Sequence, residues 1–197
     1  MLDFLLSYRI SDFLLFSREI YQSVVADYNK AIWPIQIACL LFSAVLTFIS
    51  LKPTAARMRI SSLALCFVWA GIGWSFHLNH FLSINWAAKY FACIFFFQAM
   101  LFFIEALFGG VHPRRKKHPA WILGFSLFVF SAFVPIGLLS HVPLTEITLF
   151  GWGAEMTAVG TLGLLLMRQG LRWMQTLLLI ISLVYVILSF LMRMGLS

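Results

Sequence analysis

Two histidines, His77 and His80, stand near the end of an apolar run, and their type and spacing could serve metal or proton binding. On an α-helix they share one face with Trp69 and Gly73, because residues three or four apart lie one above the other. Gly73 would let a second helix approach closely. The spacing permits joint coordination of a metal ion, but it lacks the H-E-x-x-H pattern that makes a zinc site specific. Hydrogen bonds to polar neighbours or lipid headgroups are the alternative, and in both cases we expect the imidazoles to point into a helix bundle.

Glu155 has no basic neighbour within its own apolar segment, and a carboxylate there must be paired, hydrated or protonated. Lys89 is predicted to lie at a similar depth, so we expect a structural ion pair between the two. A ligand or proton site is the alternative. Glu105, at the other end of its segment, is expected to pair with Arg114 or Arg115.

Most of the unusual polar residues are predicted to lie at one depth, near the outer end of the apolar segments. We therefore predict that His77, His80, Lys89 and Glu155 meet in an outward-facing polar pocket. Gln98 lies deeper and is expected to hydrogen-bond to another helix. The residues expected to complete the pocket are Asn29, Trp33, Gln36, Asn85 and Gln98.

The elements that position these residues are predicted to be membrane helices. Of the 197 residues 62% are hydrophobic and 11% charged, and the mean hydropathy is +0.95, values far from those of a soluble domain. The fold class predicted is all-α, a polytopic membrane helix bundle. Residues 1–30 are expected to form an amphipathic segment at the interface, with Ile20, Val24 and Tyr28 on its apolar side. Residues 31–197 are expected to hold six transmembrane helices at 31–51, 60–81, 86–108, 120–140, 151–167 and 174–194.

The distribution of basic residues predicts the orientation in an inner (plasma) membrane. Nine of the 14 Lys and Arg residues fall in three alternate loops, at 52–59, 109–119 and 168–173. Because short cytoplasmic loops collect Lys and Arg, these loops are expected to face the cytoplasm and both termini the periplasm. The same distribution explains the net charge of +7 without a nucleic-acid partner.

The stretch Tyr28-Asn29-x-Ala31-x-Trp33-Pro34-x-Gln36 resembles an uncharacterised bacterial family of small multi-pass membrane proteins. Further similarity follows at 69–77, 84–88 and Gln98, so the resemblance covers roughly the first half of the chain. Trp86 departs from it, since Pro is expected there, and this puts the shape of the neighbouring loop in doubt. The resemblance implies a fold and a membrane location but no activity. It marks as positions to test Asn29, Trp33, Gln36, His77, Asn85 and Gln98.

Three functions remain open. The first is a small transporter-like or ligand-binding membrane protein that uses the outward-facing pocket. The second is a non-catalytic accessory or assembly subunit of a larger membrane complex, and the third is an intramembrane enzyme that uses His77, His80 and Glu155. The chain has no P-loop, dinucleotide fingerprint, G-x-S-x-G or haem-attachment motif, so no cofactor and no catalytic residue are assigned. The partners expected are the lipid bilayer and either other membrane subunits or further copies of this chain.

Overall fold

The computed structural model describes residues 18–52, 54–108, 112–113, 118–135, 143–169 and 173–194, and these residues contain seven α-helices. The predicted all-α class is confirmed for these residues. They also contain two short β-strands, His112–Pro113 and Arg168–Gln169, which pair antiparallel. The helices are α1 Arg18–Ala31, α2 Ile35–Leu51, α3 Ala55–Ile72, α4 Ala88–Phe108, α5 Pro119–Phe133, α6 Ala154–Leu166 and α7 Trp173–Met194.

Helix α1 is amphipathic, as predicted, but its buried face is turned by about one residue from the predicted one. Tyr21, Val25 and Tyr28 are buried, whereas Ile20 is 45% exposed. The two tyrosines bring large rings into the core while their hydroxyls find hydrogen-bond partners, and this outweighs the burial of a single isoleucine. Residues 1–17 of the predicted N-terminal segment lie outside the described residues.

Helices α3 and α4 form the longest hairpin of the described chain. Thr54 caps α3, because its hydroxyl oxygen accepts a hydrogen bond from the backbone N–H of Arg57 at 3.3 Å. At its far end α3 continues into a π-helical turn, Gly73–Leu78, and then a 3₁₀ turn, Phe81–Ser83. After a short turn α4 begins at Ala88 and returns alongside α3.

The prediction of six membrane-crossing helices is wrong for the described residues. Two stretches are long and apolar enough to cross a bilayer, Ala55–Ser83 with 29 residues and Ala88–Phe108 with 21. A third is added if Glu19–Ala31 and Ile35–Leu51, which meet at 86°, count as one bent span.

Two of the remaining apolar segments, 120–140 and 151–167, contain helices that are shorter than hydropathy predicts. Helix α5 stops at Phe133, two residues before Pro135, because the residue before a proline is disfavoured in the α region. Its 15 residues rise only about 22 Å, and the 13 of α6 about 20 Å, against about 30 Å of hydrocarbon. The apolar segment 120–140 therefore contains a helix too short to span a bilayer.

The helices pack in neighbouring pairs, with α3 against α4, α5 against α6, and α6 against α7. The closest approach is between α5 and α6, where Gly124 faces Gly163. A Cβ added to Gly124 would lie 2.4 Å from the carbonyl oxygen of Gly163, and one added to Gly163 would lie 2.5 Å from that of Gly124. Only glycine at both positions permits this contact between backbones.

Candidate functional site

His77 lies in the π-helical turn and is fully buried among aromatic rings. Its Nε2 is 3.3 Å from the hydroxyl of Tyr185 on α7, and its Nδ1 has no hydrogen-bond partner among the described residues. The nearest ring is that of Phe95 on α4, with centroids 4.5 Å apart. A Cβ added to Gly73 would lie 3.1 Å from the Cβ of Phe95, so the predicted close approach of a second helix at Gly73 is confirmed.

His80 does not share the surroundings of His77. Its Nδ1 lies 2.7 Å from the carbonyl oxygen of Ser75, and its ring packs edge-on against Tyr28 at 5.2 Å. The prediction that both imidazoles share a face assumed a regular α-helix, whereas a π turn has a different angular spacing. Within the described ranges no three His, Cys, Asp or Glu residues are grouped closely enough to hold a metal ion.

Glu155 lies in the first turn of α6 and is buried, with its Oε1 accepting a hydrogen bond of 2.8 Å from the hydroxyl of Tyr21. The positive end of the helix dipole stabilises a carboxylate at this position. Tyr21 in turn packs edge-on against Phe76 and Phe81, and both of these rings also contact His77. The structure thus brings Glu155 and His77 into one aromatic cluster.

Lys89 and Trp33 lie outside this cluster. Lys89 is exposed, and its Nζ lies 5.1 Å from the ring centroid of Tyr90 and 5.7 Å from that of Trp86. The predicted ion pair with Glu155 is therefore not formed. Lys89 occupies the first turn of α4, where a long side chain can keep its charge in a polar layer. Trp33 is 64% exposed.

Asn29 and Gln36 make hydrogen bonds to backbone carbonyl groups. The Asn29 amide nitrogen donates to the carbonyl oxygens of Thr145 at 2.7 Å and Ile147 at 2.9 Å. Gln36 donates to the carbonyl oxygen of Asn29 at 3.2 Å. The two Asn29 bonds fasten the segment before α6 to the end of α1, and the Gln36 bond fastens the start of α2 to the same place.

Asn85 and Gln98 also make structural contacts. The Asn85 side-chain oxygen accepts from the backbone N–H of Ala87 at 2.9 Å, which closes the turn before α4. Gln98 is fully buried and donates to the carbonyl oxygen of Leu178 and the hydroxyl of Ser182, at 3.1 and 3.0 Å. The predicted bond from Gln98 to another helix is confirmed, and the helix is α7.

A buried ion pair, which the sequence did not predict, lies at the opposite end of α3 and α4. Glu105 and Arg168 are paired, and both side chains are at most 1% exposed. Ser62 donates to the same carboxylate oxygen at 2.7 Å, and the Arg168 guanidinium lies 3.3 Å from the hydroxyl of Ser61. The expected partners of Glu105, Arg114 and Arg115, lie outside the described residues. Arg168 was assigned to a solvated loop because it follows an apolar run, yet its position at the end of α6 turns it into the core.

An apolar groove lies beside α2, with a volume of about 620 Å³. We call this space the α2–α3 groove, because α2 and α3 supply its walls. Gly151 and Trp152 also line it. None of the described residues that line it is charged, and its hydroxyl groups belong to Tyr28 and Ser75. Hydropathy could not predict it, because residues facing a groove and residues facing lipid are equally apolar.

A family model described as a family of unknown function, DUF6064, matches residues 18–194. The match covers most of the chain, and the chain therefore belongs to this family. The prediction of membership in an uncharacterised family is confirmed, while bacterial origin remains a prediction. No curated protein and no solved structure matches the chain.

Proposed function

We propose that the protein is an integral membrane protein that takes a lipid-like molecule from the bilayer into the α2–α3 groove. The observation that carries this proposal is the groove itself. Its volume of about 620 Å³ lies in the range of small-molecule sites, about 300–1,000 Å³. Apolar side chains line it, and its polar atoms are few and lie mainly at one end. The groove is a different place from the polar pocket that the sequence predicted, and that pocket stays a separate prediction.

The long helices support a membrane location. The apolar windows of Ala55–Ser83 and Ala88–Phe108 have mean hydropathies of 1.4 and 2.2. Large apolar side chains point outward from them, and Phe67, Trp74 and Phe108 are each more than 60% exposed. Water would make such exposure unfavourable, whereas lipid would not. The protein in this proposal crosses the membrane at least twice, through α3 and α4.

The charge distribution supports an orientation for this hairpin. Lys52, Arg57 and Arg59 lie at the start of α3, and the turn at 84–87 between α3 and α4 has no Lys or Arg. The positive-inside rule then assigns the start of α3 to the cytoplasm and the turn to the opposite side. In this orientation Tyr28 and Ser75 lie toward the non-cytoplasmic end of the groove.

Photo-crosslinking in nanodiscs tests the groove directly. The probe is a fatty-acid methyl ester with a diazirine in the middle of its chain, and labelled peptides are mapped by mass spectrometry. We expect labelling of segments 35–42 and 64–75, which form the two walls. Gly71→Phe should reduce it to the background level, because a Cβ at Gly71 meets no atom within 4 Å and the ring would extend into open space.

Two controls separate a specific site from bulk lipid. Gly71→Ala adds only a methyl group to the same open position and should keep the labelling. The outer face of α7, where Ile180 and Val184 are exposed, should be labelled equally in all variants. Equal labelling of the groove walls in wild type and Gly71→Phe would contradict the proposal.

A further inference from the structure

The polar end of the α2–α3 groove has a defined hydrogen-bond direction. The Ser75 hydroxyl donates to the carbonyl oxygen of Gly71 at 2.6 Å, which uses its one proton. The Tyr28 hydroxyl lies 3.3 Å from the Ser75 oxygen, so Tyr28 must be the donor in that contact. The Tyr28 oxygen is then left as an acceptor. Because 3.3 Å is long for an O–H···O bond, this hydroxyl is also loosely held.

His80 extends the same pattern. Its Nδ1 faces a carbonyl oxygen, which can only accept, so Nδ1 carries the proton. In the neutral imidazole Nε2 is then an acceptor. The His80 ring packs against the Tyr28 ring, with centroids 5.2 Å apart. The Tyr28 oxygen, which lines this end of the groove, therefore favours a ligand that donates a hydrogen bond.

The charges nearby restrict the ligand further. None of the described lining residues is charged, and the closest ionic residues along α1, Asp27 and Lys30, are exposed and paired with each other at 3.6 Å. Tyr28 is 3% exposed, so a ligand group that reaches its hydroxyl is largely removed from water. A phosphate or an ammonium group would lose its hydration there without gaining a counter-ion.

We propose that the occupant of the groove is a neutral lipid with a free hydroxyl headgroup, of the diacylglycerol class, and that Tyr28 accepts the hydrogen bond of that hydroxyl. This inference rests on the proposed function. The acyl chains lie between α2 and α3, and the hydroxyl reaches the end formed by Tyr28 and Ser75. The Tyr28 hydroxyl, in this arrangement, determines headgroup specificity.

The test is competition against the diazirine methyl ester in phosphatidylcholine nanodiscs. Dioleoylglycerol is compared with its 3-acetyl ester, which has the same chains but cannot donate a hydrogen bond, and with anionic dioleoylphosphatidylglycerol. We expect dioleoylglycerol to compete about fivefold better than the acetyl ester, which is the effect of one neutral hydrogen bond. Tyr28→Phe should remove this preference while keeping the ring contacts. Tyr90→Phe, on the exposed side of α4, is the matched control and should keep it.

The outcomes separate this inference from the proposed function. If the two neutral lipids compete equally in the wild-type protein, or phosphatidylglycerol competes best, the hydroxyl inference is wrong while the groove remains a lipid site. If Gly71→Phe leaves all labelling unchanged, both proposals fall. The comparison of lipids on the wild-type protein is decisive even if Tyr28→Phe does not fold.

Discussion

The buried pair of Glu105 and Arg168 should dominate the local stability of the end of the bundle where it lies. Glu105→Leu would leave the Arg168 guanidinium in the core without its carboxylate, and Arg168→Met would do the reverse. Breaking one side of a buried pair costs about 3–5 kcal/mol. We therefore expect each single variant to lose about 3 kcal/mol.

The double variant separates an ion pair from two independent losses. Replacement of a whole buried pair by apolar residues of similar size is often neutral, so the double variant should lose no more than either single one. Additive effects would instead give about 6 kcal/mol, and the difference is a coupling energy of about 3 kcal/mol. The assay is equilibrium unfolding in mixed micelles of dodecyl maltoside and sodium dodecyl sulfate, followed by circular dichroism.

An exposed ion pair of the same chain supplies the control. Asp27 and Lys30 are 3.6 Å apart with side chains 72% and 66% exposed, and Asp27→Asn should change stability by less than about 1 kcal/mol. If Glu105→Leu and Arg168→Met are no more destabilising than Asp27→Asn, or if their effects are additive, the assignment of a buried pair is refuted.

Two further predictions concern helix packing and orientation. Gly163→Ala should destabilise the protein by about 2 kcal/mol or more, because the added Cβ would lie 2.5 Å from the Gly124 carbonyl oxygen. Gly71→Ala is the control and should change stability by less than about 0.5 kcal/mol. The same unfolding assay measures both variants, and equal effects would contradict the close contact. In a variant without the native cysteines, a membrane-impermeant maleimide added outside cells should label Ser83→Cys but not Lys52→Cys, and the reverse pattern would contradict the orientation.

The sequence predicted helices well where an apolar run is uninterrupted. The segment 86–108 corresponds to Ala88–Phe108, and 60–81 lies within Ala55–Ser83. The prediction from hydropathy failed where a residue such as proline ends a helix inside an apolar run. Pro135 was visible in the sequence, but a hydropathy window averages over it and does not register that α5 ends at Phe133. Length and apolar content therefore predicted the helical class better than the number of spans.

The site was harder to predict for a geometric reason. A sequence gives the depth of a residue along a helix axis, but two residues at one depth meet only if their helices are neighbours and are rotated to face each other. Lys89 and Glu155 were predicted to lie at one depth, but α4 and α6 are not among the helix pairs that pack closely in the described residues, and Lys89 is exposed. His77 was correctly predicted to point into the bundle, because Gly73, one turn away, indicates which face of the helix contacts a neighbouring helix. Arg168 was missed because a basic residue after an apolar run is usually solvated.

The polar residues inside the bundle act mainly as links between helices. Trp69 donates from its indole to the hydroxyl of Thr161 at 3.0 Å, which joins α3 to α6, and Gln98 joins α4 to α7. Because lipid tails are as apolar as leucine, apolar contacts alone discriminate poorly between correct and incorrect helix neighbours in a bilayer. Such links specify the neighbours instead, and a residue used in this way cannot bind a ligand without weakening the contact between its helices.

Helix α2 uses its polar residues differently, and this explains why the groove lies beside it. Ser43, Thr47 and Ser50 each donate, at 2.8 Å, to the carbonyl oxygen four residues earlier in α2 itself. Their hydroxyls are thereby satisfied within the helix. The contact of α2 with α3 then depends on apolar packing, which a lipid chain can replace at little cost in free energy. A groove for a lipid should therefore form at this contact, and not at those where Gln98, Glu105 or Trp69 holds the helices together.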